Sequence, residues 1–451
     1  MDMIQYNGSD ATIARGRSEY FRADQLVVGL PYVDLVLRQL GEQAAVVDRD
    51  DRLGLALLDL PAEAALVSLR DALRVSSPTW VDEAVAEGRR ALDATTAPGS
   101  DASEPSALDT TVRLLRRIFT TEYSGWTPTI GKNRIVGRVV GSYVIDGGGT
   151  SRPVPVRGSY VIDGGGVGAP EPTGARVVPL RDRKPGAGVR VGVVDTRLDP
   201  HPWLTGGYVA GASDILPIRP AEPLPDAAGH ATFITGLVLR QAPGAVVELH
   251  AGLGDDGAQD SWSVARTITT LAGAGTQVLN LSLGCHTDDG QPPLVLSAAL
   301  ASLGPDTVVI AAAGNHGNEP SGTGGSRPMW PAALENVIAV GALDGADLAA
   351  FTPRVPWLDA VAPGVDVVST YLPRSAEDGR PSGDGGFARW SGTSFAAAAV
   401  SGAIAARVRA AEVNARQAWL DLADEAKRDG GGRPIIPLRM LDSWPADGAT
   451  G

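Results

Sequence analysis

The spacing of apolar positions changes along the chain, and the changes divide it. In "QLVVGL" (25–30) and "AAVVDRDDRLGLALLDL" (44–60) apolar residues alternate or run together, as strands require. In "PYVDLVLRQLGE" (31–42) and "PAEAALVSLRDAL" (61–73) they return every three or four residues, as on a helix buried along one face. Pro61 suits a first helical turn. This β-α-β-(β)-α order, followed by a helix in "VDEAVAEGRRAL", predicts a small α+β sandwich over 24–92, with residues 1–23 as a tail. The next stretch, "DATTAPGSDASEPSALDTT", has no period and is rich in Ser, Thr, Pro, Gly and Asp. It predicts a flexible linker over 93–111.

Residues 112–183 open with a helical pattern, "VRLLRRIFTTEY", and then become Gly-rich. Within them "GSYVIDGGG" occurs twice, from Gly141 and from Gly158. Alternation ending in Asp-Gly predicts a duplicated β-hairpin, and a latch or partner-binding ribbon is the other reading. Two copies are too few for a solenoid, which needs at least ~3 repeats. Over 184–445 strands and helices alternate. "VRVGVVD", "GAVVELHAGL", "QVLNLSLG", "DTVVIAAAGN" and "VIAVGAL" read as strands, and "SWSVARTITTLAGAG" as a helix. That order implies α/β architecture, a parallel sheet with helices on both faces. Such sheets gather functional groups at the carboxyl ends of their strands.

Composition narrows the function. A chain of 451 residues, 43% hydrophobic and 20% charged, has material for two or three cores. A net charge of −13 argues against nucleic acid and anionic membranes as partners, because both are polyanions. The single cysteine, Cys285, excludes an intrachain disulfide framework and a thiol cluster for zinc. The start "MDMIQYNGSDATIARGRSEYF" lacks a secretory h-region, and no stretch approaches ~18 uninterrupted apolar residues. A soluble, cytoplasmic protein with no membrane partner is expected.

Four polar residues stand at the ends of apolar runs in the α/β part. Asp195 closes "VRVGVVD", His230 opens the helix of "GHATFITGL", Asn315 follows the strand "VVIAAAG", and Ser394 opens the helix of "SGTSFAAAAVSG". Each alone reads as a cap or turn residue. Together they supply an acid, an imidazole and a hydroxyl, and a hydroxyl is a weak nucleophile until an oriented base takes its proton.

The blocks "VVDTRLD", "GHATFITG", "LNLSLG", "AAAGN", "VIAVGA", "APGVDVVST" and "SGTSFAAAAVSG" resemble, in order, the subtilisin-like serine proteases, or subtilases, from about Gly188 to Ala411. The order Asp, His, Ser is that of subtilisin. The resemblance implies a serine endopeptidase acting on peptide or protein substrates through an acyl-enzyme, with Ser394 as nucleophile, His230 as base and Asp195 orienting it. It places the amide of Asn315 in an oxyanion hole. Ser282, Leu283 and Gly284 would pair with an extended peptide, and Ala311 to Gly314, with Ala312 and Ala313, would line the specificity pocket. Met329, two residues before Pro331, would stand at the pocket floor, where relatives often carry glycine; the other reading leaves it in the core. Other departures are Arg197 two residues after the acid, Phe233 in place of a second histidine, and Ala398 in place of a proline after the nucleophile. The chain between Leu239 and His250 is too short for the calcium loop of many relatives, so no metal and no cofactor is expected. His201, His250, His286 and His316 lack paired ligand spacing and read as structural or surface residues. Many subtilases carry a ferredoxin-like propeptide that inhibits the site, which implies a zymogen-like chain with its own N-terminal domain as intramolecular inhibitor. The competing reading is a binding or scaffold protein on the same fold with a vestigial triad. A third reading, a nucleotide-binding α/β enzyme, is opposed by the lack of a G-x-G-x-x-G turn after "VRVGVVD" and of a P-loop.

Overall fold

The computed structural model describes residues 4–5, 12–15, 19–76, 79–93, 105–138, 171–172, 186–217, 224–317, 326–372, 386–409 and 412–439. The chain forms two compact units. One comprises Met1–Ile135 with Asp260–Thr269 and His286–Ser302; the other comprises Val136–Gln259, Thr270–Cys285 and Leu303–Gly451.

In the first unit, β1 (Tyr20–Gly29) is the central strand, and its Leu26, Val27 and Val28 are fully buried. Helix α1 (Val33–Leu40) buries Val33, Val36 and Leu40 along one face and ends at Gly41, whose φ of +64° disfavours a side chain. The region "AAVVDRDDRLGLALLDL" folds as a hairpin of β2 (Ala45–Asp50) and β3 (Leu55–Asp59). Helices α2 (Ala62–Ser76), α3 (Trp80–Asp93) and α4 (Ala107–Glu122) follow, and then β4 (Ile130–Arg138). β1 pairs antiparallel with β3 on one side and with β4 on the other, giving the order β4-β1-β3-β2, the ferredoxin-like arrangement. Leu58, Leu69, Leu114, Leu115 and Phe119 join one core.

The unit is drawn differently from the sequence expectation. Helix α4 begins inside the span expected as linker, where Ser106 caps it by accepting from the Asp109 amide at 3.0 Å. The sheet's fourth strand, β4, lies beyond residue 92, in the region expected as helix plus hairpins. The two "GSYVIDGGG" copies lie outside the described residues. β4 buries charge at its centre, at Lys132 and Arg134, between the buried apolar side chains of Ile130, Ile135 and Val136. Lys132 bonds Glu19 and, at 2.6 Å, Asp109, while Arg134 Nε bonds Glu19 at 2.6 Å. Burial opposes ionisation of Asp109, yet Lys132, Ser106 and Arg113 outweigh it and hold the carboxyl below its usual range. Between the two cations, Asn133 donates to Gln25 (2.7 Å) and Asp260 (3.2 Å). It accepts from the Ser261 hydroxyl and the Trp262 amide, both at 3.0 Å, at the start of α6 (Ser261–Leu271).

In the second unit the expected parallel α/β sheet is present. β5 (Arg190–Asp195) lies between β6 (Val246–Ala251) and β7 (Val278–Leu281). The sheet continues through β9 (Val308–Ala312), β10 (Val337–Asp344) and β11 (Ala360–Pro363). β5, β7, β9, β10 and β11 are largely apolar runs because both their faces are buried, whereas β6 alternates buried Val247 and Leu249 with half-buried Val246, Glu248 and His250. The two-residue strand β8 (Leu283–Gly284) follows β7. Helices α5 (His230–Gln241) and α8 (Thr393–Arg407) pack closely, since a side chain at Gly402 would stand 2.6 Å from the Val238 carbonyl. Strand β12 (Val367–Thr370) anchors α5 through Ser369 and Thr370, whose hydroxyls donate to the Phe233 and Thr232 carbonyls at 2.7 Å.

Candidate active site

The sheet carries Asp195 to the carboxyl end of β5, fully buried. Its Oδ1 accepts from the Thr196 amide at 2.7 Å, and Thr196 Oγ1 accepts from the Ala231 amide at 3.1 Å, which ties the acid to the first turn of α5. His230 begins that turn. Its Nδ1 lies 2.8 and 2.9 Å from the two Asp195 oxygens. A carboxylate there can only accept, so Nδ1 carries the proton and Nε2 is left with its lone pair to receive one. The ring is held edge-on to Trp390 and beside Phe395, each 5.7 Å between centroids. Phe395 is the neighbour of Ser394, so the ring of His230 packs beside the start of α8.

Ser394 is the second residue of α8, where backbone amides lack intrahelical partners and the helix dipole is positive. Its hydroxyl donates to the Ser282 carbonyl at 3.4 Å, and the Ser282 hydroxyl donates to the Ser394 carbonyl at 3.0 Å. Asn280 and Ser401 extend this buried chain of hydrogen bonds, with Asn280 Nδ2 donating to Ser282 Oγ and Ser401 Oγ donating to Asn280 Oδ1, each at 3.0 Å. Asn315 follows β9. Its Oδ1 accepts from both the amide and the hydroxyl of Thr393 at 2.9 Å, which leaves the NH2 end on the side of Gly392, 3.6 Å from where a Cβ there would stand. The sequence did not single out Thr393; its only signal was a second hydroxyl next to Ser394.

β8 has an occupant. Leu283 pairs antiparallel with Arg138, and Gly284 with Gly137, so the last residues of β4 lie along the strand beside Ser394. Met329 is buried, with Sδ 2.7 Å from the position of a Cβ on Gly284 and Cε 3.2 Å from one on Gly314. It therefore fills the space between these two glycines. Ala312 and Ala313 turn their methyls into apolar clusters, Ala313 against Val355, Leu358 and Val361, so what they can offer a peptide is backbone. His316 is buried beside Gly314 with Nε2 3.2 Å from the Arg327 carbonyl. Burial and then the Arg327 charge push its pKa down to about 4, so the ring is neutral near pH 7. His201 accepts from the Trp203 amide at 3.1 Å, and His250 lies 3.8 Å from Glu248. Arg197 does not intrude on the acid, because Asp255 takes up its guanidinium through Nε at 2.8 Å and through Nη2.

Among the described residues no group of three or more His, Cys, Asp or Glu is placed to hold a metal ion, and no helix is long and apolar enough to cross a membrane.

Comparison with known proteins concerns chiefly the second half of the chain. Residues 186–420, just over half the chain, match the model of the subtilase family, Peptidase_S8. A thermophilic serine proteinase from Bacillus sp. (strain AK1) is 32% identical over 261 residues, covering 55% of this chain and 59% of its own length. Subtilisin BL from Lederbergia lenta is 34% identical over 230 residues, covering 49% of this chain and 76% of its own. A structure titled "Crystal Structure of a Lanthipeptide Protease" aligns with TM-score 0.46 and 21% identity, over 57% of this chain and 87% of that one. The Asp195–His230 pair, the hydroxyl at the start of α8 and the matched half of the chain lead to one statement: this chain belongs to the subtilase family of subtilisin-like serine proteases.

Proposed function

We propose that the chain is a serine endopeptidase that hydrolyses peptide bonds through an acyl-enzyme and that is held inactive by its own N-terminal part. The observation that carries the reading is His230 Nδ1 at 2.8 Å from Asp195, with Ser394 at the start of the neighbouring helix. His230 Nε2 takes the Ser394 proton as Oγ attacks the substrate carbonyl carbon. The resulting oxyanion faces the Asn315 amide and the Ser394 N–H, held rigid by Thr393 and by the helix. Collapse expels the amine, which takes the proton from His230. One water then repeats the sequence, freeing the acid product and restoring the Ser394 hydroxyl. A substrate would lie antiparallel along Leu283 and Gly284, and the side chain before the cut would enter the space narrowed by Met329. Met329 favours short aliphatic residues there.

Self-inhibition is supported by the strand pairing at β8, where Gly137 and Arg138 take the place a substrate would need. The test is labelling with a fluorophosphonate together with peptide hydrolysis, in wild type and Ser394→Ala. Labelling and hydrolysis that both vanish in the variant support the reading. Equal hydrolysis by the two proteins refutes it.

A further inference from the structure

We infer that Asn280 is a positioning residue, which fixes the rotation of α8 and with it the hydroxyl and N–H of Ser394. The inference rests on the endopeptidase reading above and deepens it by naming what holds the nucleophile still. Asn280 is the one polar side chain in β7, among Val278, Leu279 and Leu281, and it is fully buried. A buried amide in an apolar strand needs partners, and both of its partners lead to α8. Its Nδ2 donates to Ser282 Oγ and its Oδ1 accepts from Ser401 Oγ, each at 3.0 Å. The Ser282 hydroxyl has one proton and gives it to the Ser394 carbonyl at 3.0 Å, so its oxygen can accept from Asn280. This order fixes which end of the amide faces which serine. Ser401 shares its own proton between Asn280 and the Ala397 carbonyl, 2.9 Å away in the same helix.

Ser394 and Ser401 lie two turns apart on one face of α8, so Asn280 grips the helix at two points roughly 10 Å apart along its axis. Between and beside them stand Ala396, Ala397, Ala398, Ala399 and Gly402, whose small side chains offer little to interlock against rotation. A rotation of about 15° would carry the Ser394 Oγ roughly 1 Å, and misplacement on that scale costs about 100-fold in rate. Losing the Asn280 amide loosens both grips. Ser282 is then free to turn from the Ser394 carbonyl, and Ser401 keeps only the bond within its own helix. Asn280 itself touches no substrate in this role, so binding should be spared and the chemical step slowed.

The experiment measures kcat and KM for one peptide, and the rate of fluorophosphonate labelling, on the full-length chain. Wild type is compared with Asn280→Ala, Ser401→Ala and Val278→Ala, each checked for folding by thermal denaturation. Asn280→Ala should lower kcat and the labelling rate together by about 30–100-fold, with KM within about threefold of wild type. Ser401→Ala deletes only the far anchor and should lower kcat by about 3–10-fold, and the two changes together should be little worse than Asn280→Ala. Val278→Ala opens a cavity in the same strand without touching these hydrogen bonds, so it should lose stability yet keep kcat within about threefold. A folded Asn280→Ala with kcat within about threefold of wild type overturns the inference. So does an equal loss of kcat in Val278→Ala, which would mark general loosening. If Asn280→Ala does not fold, Ser401→Ala stands in its place, and a loss of kcat below about threefold there overturns the inference. In each of these outcomes a wild type that labels and hydrolyses leaves the endopeptidase reading standing. A wild type that does neither refutes that reading, and the role of Asn280 falls with it.

Discussion

Replacing Met329 by glycine tests the specificity argument most directly. The side chain is buried and lies against both Gly284 and Gly314, so its removal opens the gap between two backbone walls without disturbing either. A phenylalanine side chain taken from water into such a gap gains about 1.5–3 kcal/mol, and each 1.4 kcal/mol is a tenfold change in rate. The ratio of kcat/KM for peptides with Phe against Val before the cut should therefore rise by about 10–150-fold. The empty space has its own cost, about 2–5 kcal/mol of stability for a buried methionine, so the assay belongs well below the unfolding temperature. Met329→Leu conserves volume and should leave the ratio within about threefold of wild type. The measurement is hydrolysis of a peptide series differing only at that residue, on enzyme titrated with a fluorophosphonate. If Met329→Gly folds and labels but its Phe/Val ratio moves less than about threefold, the methionine lies in the core and the pocket argument is wrong.

Further expectations concern the triad, the sandwich and pH. Ser394→Ala, His230→Ala and Asp195→Asn should each lower kcat by about 10⁴-fold or more, with double variants little worse than single ones, because the residues act as a unit; additive losses in kcat would refute this. Asn133→Ala removes four buried hydrogen bonds and orphans the Trp262 amide, so it should cost about 3 kcal/mol. Hydrogen exchange across Ser261–Leu271 should then quicken by about 100-fold, and unchanged exchange would show that α6 starts without it. His316, with its pKa pushed down to about 4, binds its proton less readily folded than unfolded. Its contribution is thus fully present above the unfolded value near 6.5 and declines as pH falls toward 4. Denaturation midpoints measured across that range should fall less steeply in His316→Gln than in wild type; parallel slopes would exclude this role for His316.

Much of the site was legible because its chemistry sits next to strong apolar patterns. The runs leading to Asp195 and Asn315 are buried on both faces, so the first was read to within a residue, and the second, which ends at Ala312, to within three. Strand β4 was not legible, and the cause is physical. Lys132, Asn133 and Arg134 are buried through ion pairs and amide bonds instead of apolar contact, which erases the alternation that marks a strand. The start of α4 was hidden by composition, since the Ser and Asp that resemble a linker are its capping pair. Asp255, the partner of Arg197, lies too far along the chain for sequence to connect them.

The make-up of the first unit has a consequence for synthesis. Its last piece, His286–Ser302, leaves the ribosome roughly 170 residues after Ile135. At a translation rate of about 5–20 residues per second, the sandwich waits on the order of 10–30 s for the helices that complete it. Until Ser261 and Trp262 emerge, the side-chain oxygen of Asn133 meets only water or a chaperone. A nascent chain stalled before Ser302 should accordingly be protease-sensitive throughout its first 135 residues, and one released past that point should not.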